Sequence, residues 1–431
     1  MHATGVMTRP TWRAAGFALA VVLTGCGADT GPAAVPTPDA SLQSTAASAQ
    51  PPGESADAPA PSATEGPLTW QKVLDVGETG RVNSISDVAQ LGDRLIAVGT
   101  SVHATIIHVG PYESDGLIRV SDDSGSTWRD VATPDVFLGA GLRRIVVVDG
   151  EAFVFGGMTS PESQGGFVWR STDGDSWELG ELPGFAGEGW WVTADIAGGP
   201  LGWVMIGQRI SSEPPHTSEQ QVWFTPDWEN WELTRSAPGP ASETGPNGEE
   251  SYYDVAVGPE GFVVAAQLLL VGELPVRVLA SSDGRDWHES PEQPALPRGT
   301  SMSAVAPLGG DWVGAGTISP GDGSPVWKSG NGLDWSQVAL LADPQGREGF
   351  GWGRFLVSLE DRLFLSTQLR SLTAELEAGV WSSVDGVEWS LLDLDAGASV
   401  SSGLWLGDRW LLAGHADTIE SNAVIWIGSG G

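Results

Sequence analysis

The chain has 431 residues, 41% hydrophobic and 18% charged, with 59 Gly, 29 Pro and 21 Trp. Its formal charge of −34 excludes a surface built to neutralise phosphates, so nucleic acid is not an expected partner. Repulsion from anionic headgroups likewise leaves a membrane no electrostatic hold on the folded part.

At the N-terminus, Arg9 and Arg13 precede an apolar run from Ala14 to Leu23 that leads into Leu23-Thr24-Gly25-Cys26. The run is too short to span a bilayer and reads as a secretory leader, removed from the mature protein. Cys26 is the only cysteine, so no disulfide can form within the chain. The segment resembles the signal of bacterial lipoproteins. That resemblance implies a signal peptide over 1–25, a lipid on Cys26 and an extracytoplasmic anchor in the bacterial cell membrane. Residues 26–66 are almost wholly Ala, Pro, Ser, Thr and Gly with a few acids and cannot bury enough apolar surface to offset their ordering entropy. They read as a disordered stalk, roughly 35 Å long as a coil or about 120 Å if stiffened to a polyproline-like extension.

From residue 67 the pattern changes to short strands and turns. Leu68-Thr69-Trp70-Gln71-Lys72-Val73-Leu74 is followed by two apolar runs split by a Gly/Asp turn, Asp87-Val88-Ala89-Gln90-Leu91-Gly92-Asp93-Arg94-Leu95-Ile96-Ala97-Val98-Gly99, which reads as a hairpin. Relatives begin near Ile145, Ala194, Asp254, Ser303, Phe355 and Ser401, making seven hairpins. In phase with them runs a second phrase: an apolar strand, a Ser/Thr-x-Asp-Gly turn and a tryptophan. It is fullest at Ser121-Asp122-Asp123-Ser124-Gly125-Ser126-Thr127-Trp128. Shorter copies centre on Asp173, Asp283 and Asp385; Asn331 replaces the acid in one copy, and Asp227 is followed by Trp228 where glycine is expected. The closing tryptophans, Trp128, Trp177, Trp231, Trp287, Trp335 and Trp389, are 48 to 56 residues apart, a period that means blades or solenoid coils. After the seventh hairpin a last strand, Ala423-Val424-Ile425-Trp426-Ile427, stops before its turn, whereas Thr69-Trp70 begins as such a turn ends.

These observations predict an all-β fold: a seven-bladed β-propeller of four-stranded blades over 67–431. Its ring closes by an N-terminal strand joining the C-terminal blade, so only short, protected sheet edges remain.

The turn phrase resembles the Asp-box, or BNR, repeat of sialidases and other β-propellers. In it the acid accepts backbone N–H groups, glycine supplies a positive φ and tryptophan covers the turn. Asp123, Asp173, Asp227, Asp283, Asn331 and Asp385 are therefore structural residues, and the family places these turns opposite the ligand face. Pro226 and Trp228 mark the third turn as the one expected to deviate.

The resemblance puts the ligand face on the loops between blades and between second and third strands. Residues there that could stack on a sugar or grip a peptide are Trp190, Trp191, Tyr252, Tyr253, Phe350 and Trp352. Arg81, Arg143, Arg144, Arg298, Arg347 and Arg354 could converge on a carboxylate, or could pair with this chain's acids. A sialidase needs three arginines, a tyrosine–glutamate pair and an acid/base aspartate on six blades. Tyr112, Tyr252 and Tyr253 are the tyrosines on offer, Tyr253 with Glu249 or Glu250 is the best candidate pair, and no Arg-Ile-Pro signature is present. The related xyloglucanases pair two propellers, and one is predicted here. Photosystem II assembly factors and sortilin-type receptors carry seven-bladed Asp-box propellers that hold proteins or peptides. No metalloprotease, nucleophile-elbow, phosphate-loop or dinucleotide motif occurs, His103 and His108 lack a third metal ligand, and no calcium loop appears. The reading is a monomeric, non-catalytic binding or scaffold module for a glycan or protein at the cell surface, without cofactor or metal; the alternative is a sialidase-type glycoside hydrolase.

Overall fold

Leu95-Ile96-Ala97-Val98 is apolar at every position because both faces of its strand are covered. Leu95 and Ala97 pack with Leu411, Ala413 and Ile425 near the C-terminus, whereas Ile96 and Val98 pack with Ile145, Val154 and Trp169 of the following repeat. A strand whose side chains alternate between faces needs apolar residues on both when its sheet stands between two others. That situation recurs at every repeat, and each hydrophobic cluster fills the gap between two adjacent sheets.

The computed structural model describes residues 68–77, 80–103, 114–132, 134–158, 167–180, 190–211, 217–239, 250–268, 276–297, 299–318, 323–342, 350–370, 377–395, 397–416 and 421–430. They form seven antiparallel sheets of four strands. Blade 1 comprises Arg81–Leu91, Arg94–His103, Ser114–Ser121 and Arg129–Asp130, from axis to rim. Blades 2 to 6 begin with the inner strands Ala140–Val148, Trp190–Gly199, Glu250–Gly258, Thr300–Leu308 and Phe350–Leu359. Among the described residues the one helical element is the 3-10 turn Pro134–Phe137.

Blade 7 is the predicted closure. Ser399–Trp405, Trp410–Ala416 and Asn422–Ser429 supply three strands, and Thr69–Val76 adds the outermost, pairing from Thr69 opposite Ser429 to Val76 opposite Ala423. Trp70 anchors the seam edge-on to Phe364 of blade 6, with ring centroids 5.9 Å apart. Asn422 Nδ2 donates to Asp75 Oδ1 at 2.7 Å.

The Ser/Thr-x-Asp and Ser-x-Asn turns join third to fourth strands and work as local stabilisers. In blade 2, Ser171 Oγ accepts Gly174 N–H at 2.8 Å and donates to Asp173, whose Oδ1 accepts the N–H groups of Asp175 and Ser176 at 2.8 and 2.7 Å. These bonds hold Asp173 at about 2, well below an ordinary carboxyl. Asn331 substitutes fully as acceptor, taking Leu333 and Asp334 N–H at 2.9 and 2.8 Å. The box glycine also faces the preceding blade: a Cβ on Gly174, Gly332 or Gly386 would meet Ile96, Val263 or Val313 at 2.9, 2.6 or 3.0 Å.

Blade 3 differs from the expectation of a deviant turn. Asp227 keeps its bonds from Glu229 and Asn230 N–H, at 3.1 and 3.0 Å, and Trp228 takes the left-handed conformation itself, φ 66°. The reason lies in blade 2, where Phe153 stands at the position of Ile96, Val263 and Val313. The Trp228 ring packs 4.8 Å from Phe153 and 4.9 Å from Trp203, filling the gap that glycine closes elsewhere.

Candidate ligand-binding site on the propeller axis

All seven inner strands carry a one-residue register shift against their partners, at equivalent positions. A bulge leaves its extra residue unpaired and re-aims it. The seven extra residues are Ser86, Arg143, Ala194, Tyr253, Ser303, Arg354 and Ser401, and all of them line one axial chamber of about 880 Å³. Large groups stand on blades 2, 4 and 6, small ones on blades 1, 3, 5 and 7. The chamber also touches Thr100, Val102, Gly157 and His415, at the far ends of second strands. It therefore lies at the end where blades interconnect, the end predicted for the ligand; most of the connecting residues there fall outside those described.

Beyond the bulge ring lies a second chamber of about 500 Å³, lined by Val146, Ala197, Val257 and Val357. It shares Arg144, Tyr253, Ser303, Arg354, Phe355 and Ser401 with the first, so the ring is the waist of an axial channel.

In blades 1, 2, 3, 4 and 7 the residue after the bulge is polar and ties blades together. Asp87, Asp195 and Asp254 accept the backbone N–H of Ile145, Val255 and Val305 of the next blade, at 2.9, 3.0 and 2.8 Å. Ser402 Oγ accepts Val88 N–H at 3.3 Å across the blade 7–blade 1 boundary. Arg144 occupies this position in blade 2, bonds Asp195, lies 3.8 Å from Asp254 and interacts with Asp87. Burial pushes Asp87 up. It pushes Asp254 well up, reinforced by the neighbouring Asp195 charge and a hydrogen bond between the two carboxyl groups. These acids are inter-blade ties, and sequence reading missed them; the available signal was Asp followed by Val or Ile at the same point of three hairpins.

The predicted site residues divide into distinct groups. Arg81 pairs with Asp115 at 2.7 Å and with Ser101, and Arg144 is held by the buried acids. Trp191 is buried, donating to Thr193 Oγ1 at 3.2 Å. Tyr252 is buried too, its hydroxyl accepting Arg235 Nε at 3.1 Å. Arg143, Tyr253 and Arg354 are brought together on the bulge ring. Glu249, Arg298 and Arg347 lie outside the described residues, as do Cys26 and the side chains of Trp190, Glu250, Phe350 and Trp352.

The wide chamber's charge is unlike the rest of the protein. Its described lining contains Arg143, Arg144, Arg354 and His415, several hydroxyls and no carboxylate. Arg143 has no carboxylate partner among the described residues; burial and the adjacent Arg144 charge pull its pKa down. Arg354 stacks 5.5 Å over Phe355 and reaches Gln368 Oε1 at 3.4 Å, and burial lowers it as well. His415 falls to about 4 through burial and the Arg354 charge. Burial raises Tyr253, the opposite of what a phenolate nucleophile requires.

No protein-family model and no curated protein matches the sequence. Solved structures with a similar fold include a Trypanosoma rangeli sialidase bound to the inhibitor DANA, at 14% identity over 71% of this chain and 56% of that one, TM-score 0.44. The endosialidase of phage phi92 matches at 9% identity over 84% and 69%, TM-score 0.42. The β-propeller domain of the Trilobed protease from Pyrococcus furiosus matches at 11% identity over 81% and 97%, TM-score 0.45. The chain spans a little over half the length of the trypanosomal sialidases it matches. At such identities the likeness is one of β-propeller fold, and no residue role passes from those proteins to this chain.

Proposed function

We propose that the protein is an exported, lipid-anchored recognition module that holds a glycan or protein ligand at the cell surface without turning it over. The observation that carries this reading is the wide axial chamber, ringed by seven bulge side chains at the interconnecting end of the blades. Its volume is that of a ligand pocket, and its wall offers hydroxyls, an aromatic ring and cations. Hydrolysis of a glycoside calls for a pair of carboxyl groups, or a tyrosine with its base, about the scissile bond. Among the described residues the nearest carboxyls, Asp87, Asp195 and Asp254, are engaged in holding blades together.

The leader, the single Cys26 and the Pro/Ala/Ser/Thr-rich stalk support the anchored placement. Cys26→Ala is expected to release soluble protein, and persistent membrane attachment would count against the lipid.

The function is tested with the full-length chain, purified in detergent, on a glycan and cell-wall-fragment array, with a fluorogenic sialoside assay on the same sample. Binding without turnover is the expected result. Sialoside turnover that disappears in Tyr253→Phe would establish the hydrolase instead.

A further inference from the structure

The sign of the wide chamber's charge selects among ligands. In a chain of formal charge −34, a cavity whose described lining has cations and no carboxylate departs from the composition around it. Arg144 already has its counter-ions in the buried acids, whereas Arg143 and Arg354 form no ion pair with any described residue. They stand on blades 2 and 6, three blades apart around a ring of seven, so they approach the axis from nearly opposite sides. Both side chains are exposed to the chamber, yet its walls partly desolvate their guanidinium groups, which an anion between them would relieve. An anion entering from the wide end meets these arginines before it reaches the acids behind the waist.

Three further features describe the rest of the ligand. Ser86, Ser303 and Ser401 stand beside the arginines on the same ring, and Thr100 lies above them, giving hydroxyl partners for a polyhydroxylated molecule. Tyr253, 37% exposed on blade 4, presents an aromatic ring between the two arginines. The volume of about 880 Å³ far exceeds an inorganic anion and suits one or two sugar rings.

We propose that the wide chamber seats a hexuronate unit of an acidic glycan, its carboxylate between Arg143 and Arg354 and its ring hydroxyls against the serine-rich wall. This rests on the recognition-module reading and names that module's ligand class. Guanidinium–carboxylate hydrogen bonds are charge-assisted and often bidentate, and each is worth about tenfold or more in affinity when made in a partly desolvated site.

The test is calorimetric titration of the full-length chain in detergent with glucuronate, galacturonate and their short oligomers. Glucose, galactose and inorganic sulfate serve as matched controls. Uronates are expected to bind at least about thirtyfold more tightly than the neutral sugars. Arg143→Gln and Arg354→Gln should each weaken them about tenfold or more, with melting temperatures unchanged or raised, because each removes a partly desolvated cation that has no ion pair among the described residues. Neutral sugars binding as well as uronates would overturn the proposal, and so would uronate affinity that survives the double variant. It is equally overturned if sulfate binds with the arginine dependence and no uronate does, or if no uronate binds at all. The module reading fails separately, through turnover or through absence of any array ligand; a neutral or arginine-independent array ligand would leave it standing and remove the uronate.

Discussion

Replacing Trp228 by glycine would give blade 3 the glycine that the chain's other turns of this kind carry, yet the structure predicts that it destabilises the protein. A non-glycine residue at φ 66° costs about 1 kcal/mol, and glycine would recover roughly that. Against it stand four ring contacts: Phe153 at 4.8 Å, Trp203 at 4.9 Å, Trp231 at 5.5 Å and Phe155 at 6.1 Å. Aromatic pairs contribute about 0.5–1.5 kcal/mol each beyond their buried area, so even the low end sums to about 2 kcal/mol. Burial of the half-covered indole adds about 1–2 kcal/mol more. The net loss is about 3 kcal/mol, seen in calorimetry as a melting temperature lower by several degrees. An unchanged or higher melting temperature for Trp228→Gly would mean that the consensus turn, and not the contact with blade 2, governs this blade.

Four further outcomes follow from the ties, one turn and the seam. Asp87→Ala leaves the N–H of Ile145 without its acceptor and removes a partner of Ser402. The expected cost is about 2 kcal/mol by denaturant unfolding, net of the relief from burying one carboxylate fewer; Asp87→Asn should cost less, and equal losses would refute the tie. Asp254, raised when folded, contributes stability that is complete below its ordinary pKa and lost as pH rises through the folded value. Asp254→Asn should therefore flatten the fall of melting temperature above pH 4, and an unaltered pH profile would contradict this. The box acid Asp173, lowered to about 2, acts oppositely, its contribution disappearing as pH falls toward 2. Deleting residues 67–75 strips the outer strand of blade 7 and exposes the surface under Trp70, Val73 and Leu74, for about 3–4 kcal/mol and a single shifted transition. A melting temperature equal to that of the intact chain would refute closure by a shared blade.

The architecture was legible because its signals are local and repeated. A turn needs an acceptor, a residue tolerant of positive φ and a covering ring, so six copies marked six of the blades, the seventh hairpin supplied the last, and the unmatched Thr69-Trp70 located the seam. The axial site was legible only in part. Arg143 and Arg354 were recognised as inter-blade arginines together with Arg81 and Arg144, and side-chain type alone cannot distinguish those that find a carboxylate. That distinction comes from the bulge: it turns Arg143 toward the channel and places the next residue, Arg144, among Asp87, Asp195 and Asp254. Bulge positions follow from the shared geometry of the ring, which no single hairpin sequence encodes. Trp191 and Tyr252 read as ligand aromatics because they flank the inner-strand starts, but each points into an inter-blade core, while Val192 and Tyr253 beside them line the chamber.

The most direct test of the chamber as binding site is to fill it. Ala194 is the smallest bulge residue and lines the wide chamber on blade 3, so Ala194→Trp would place an indole in the channel without removing a side-chain hydrogen bond. Array binding should be compared between the wild-type chain and Ala194→Trp, at matched melting temperature. Loss of every wild-type signal is the predicted result; signals that persist undiminished would place the ligand elsewhere on the propeller and contradict the account.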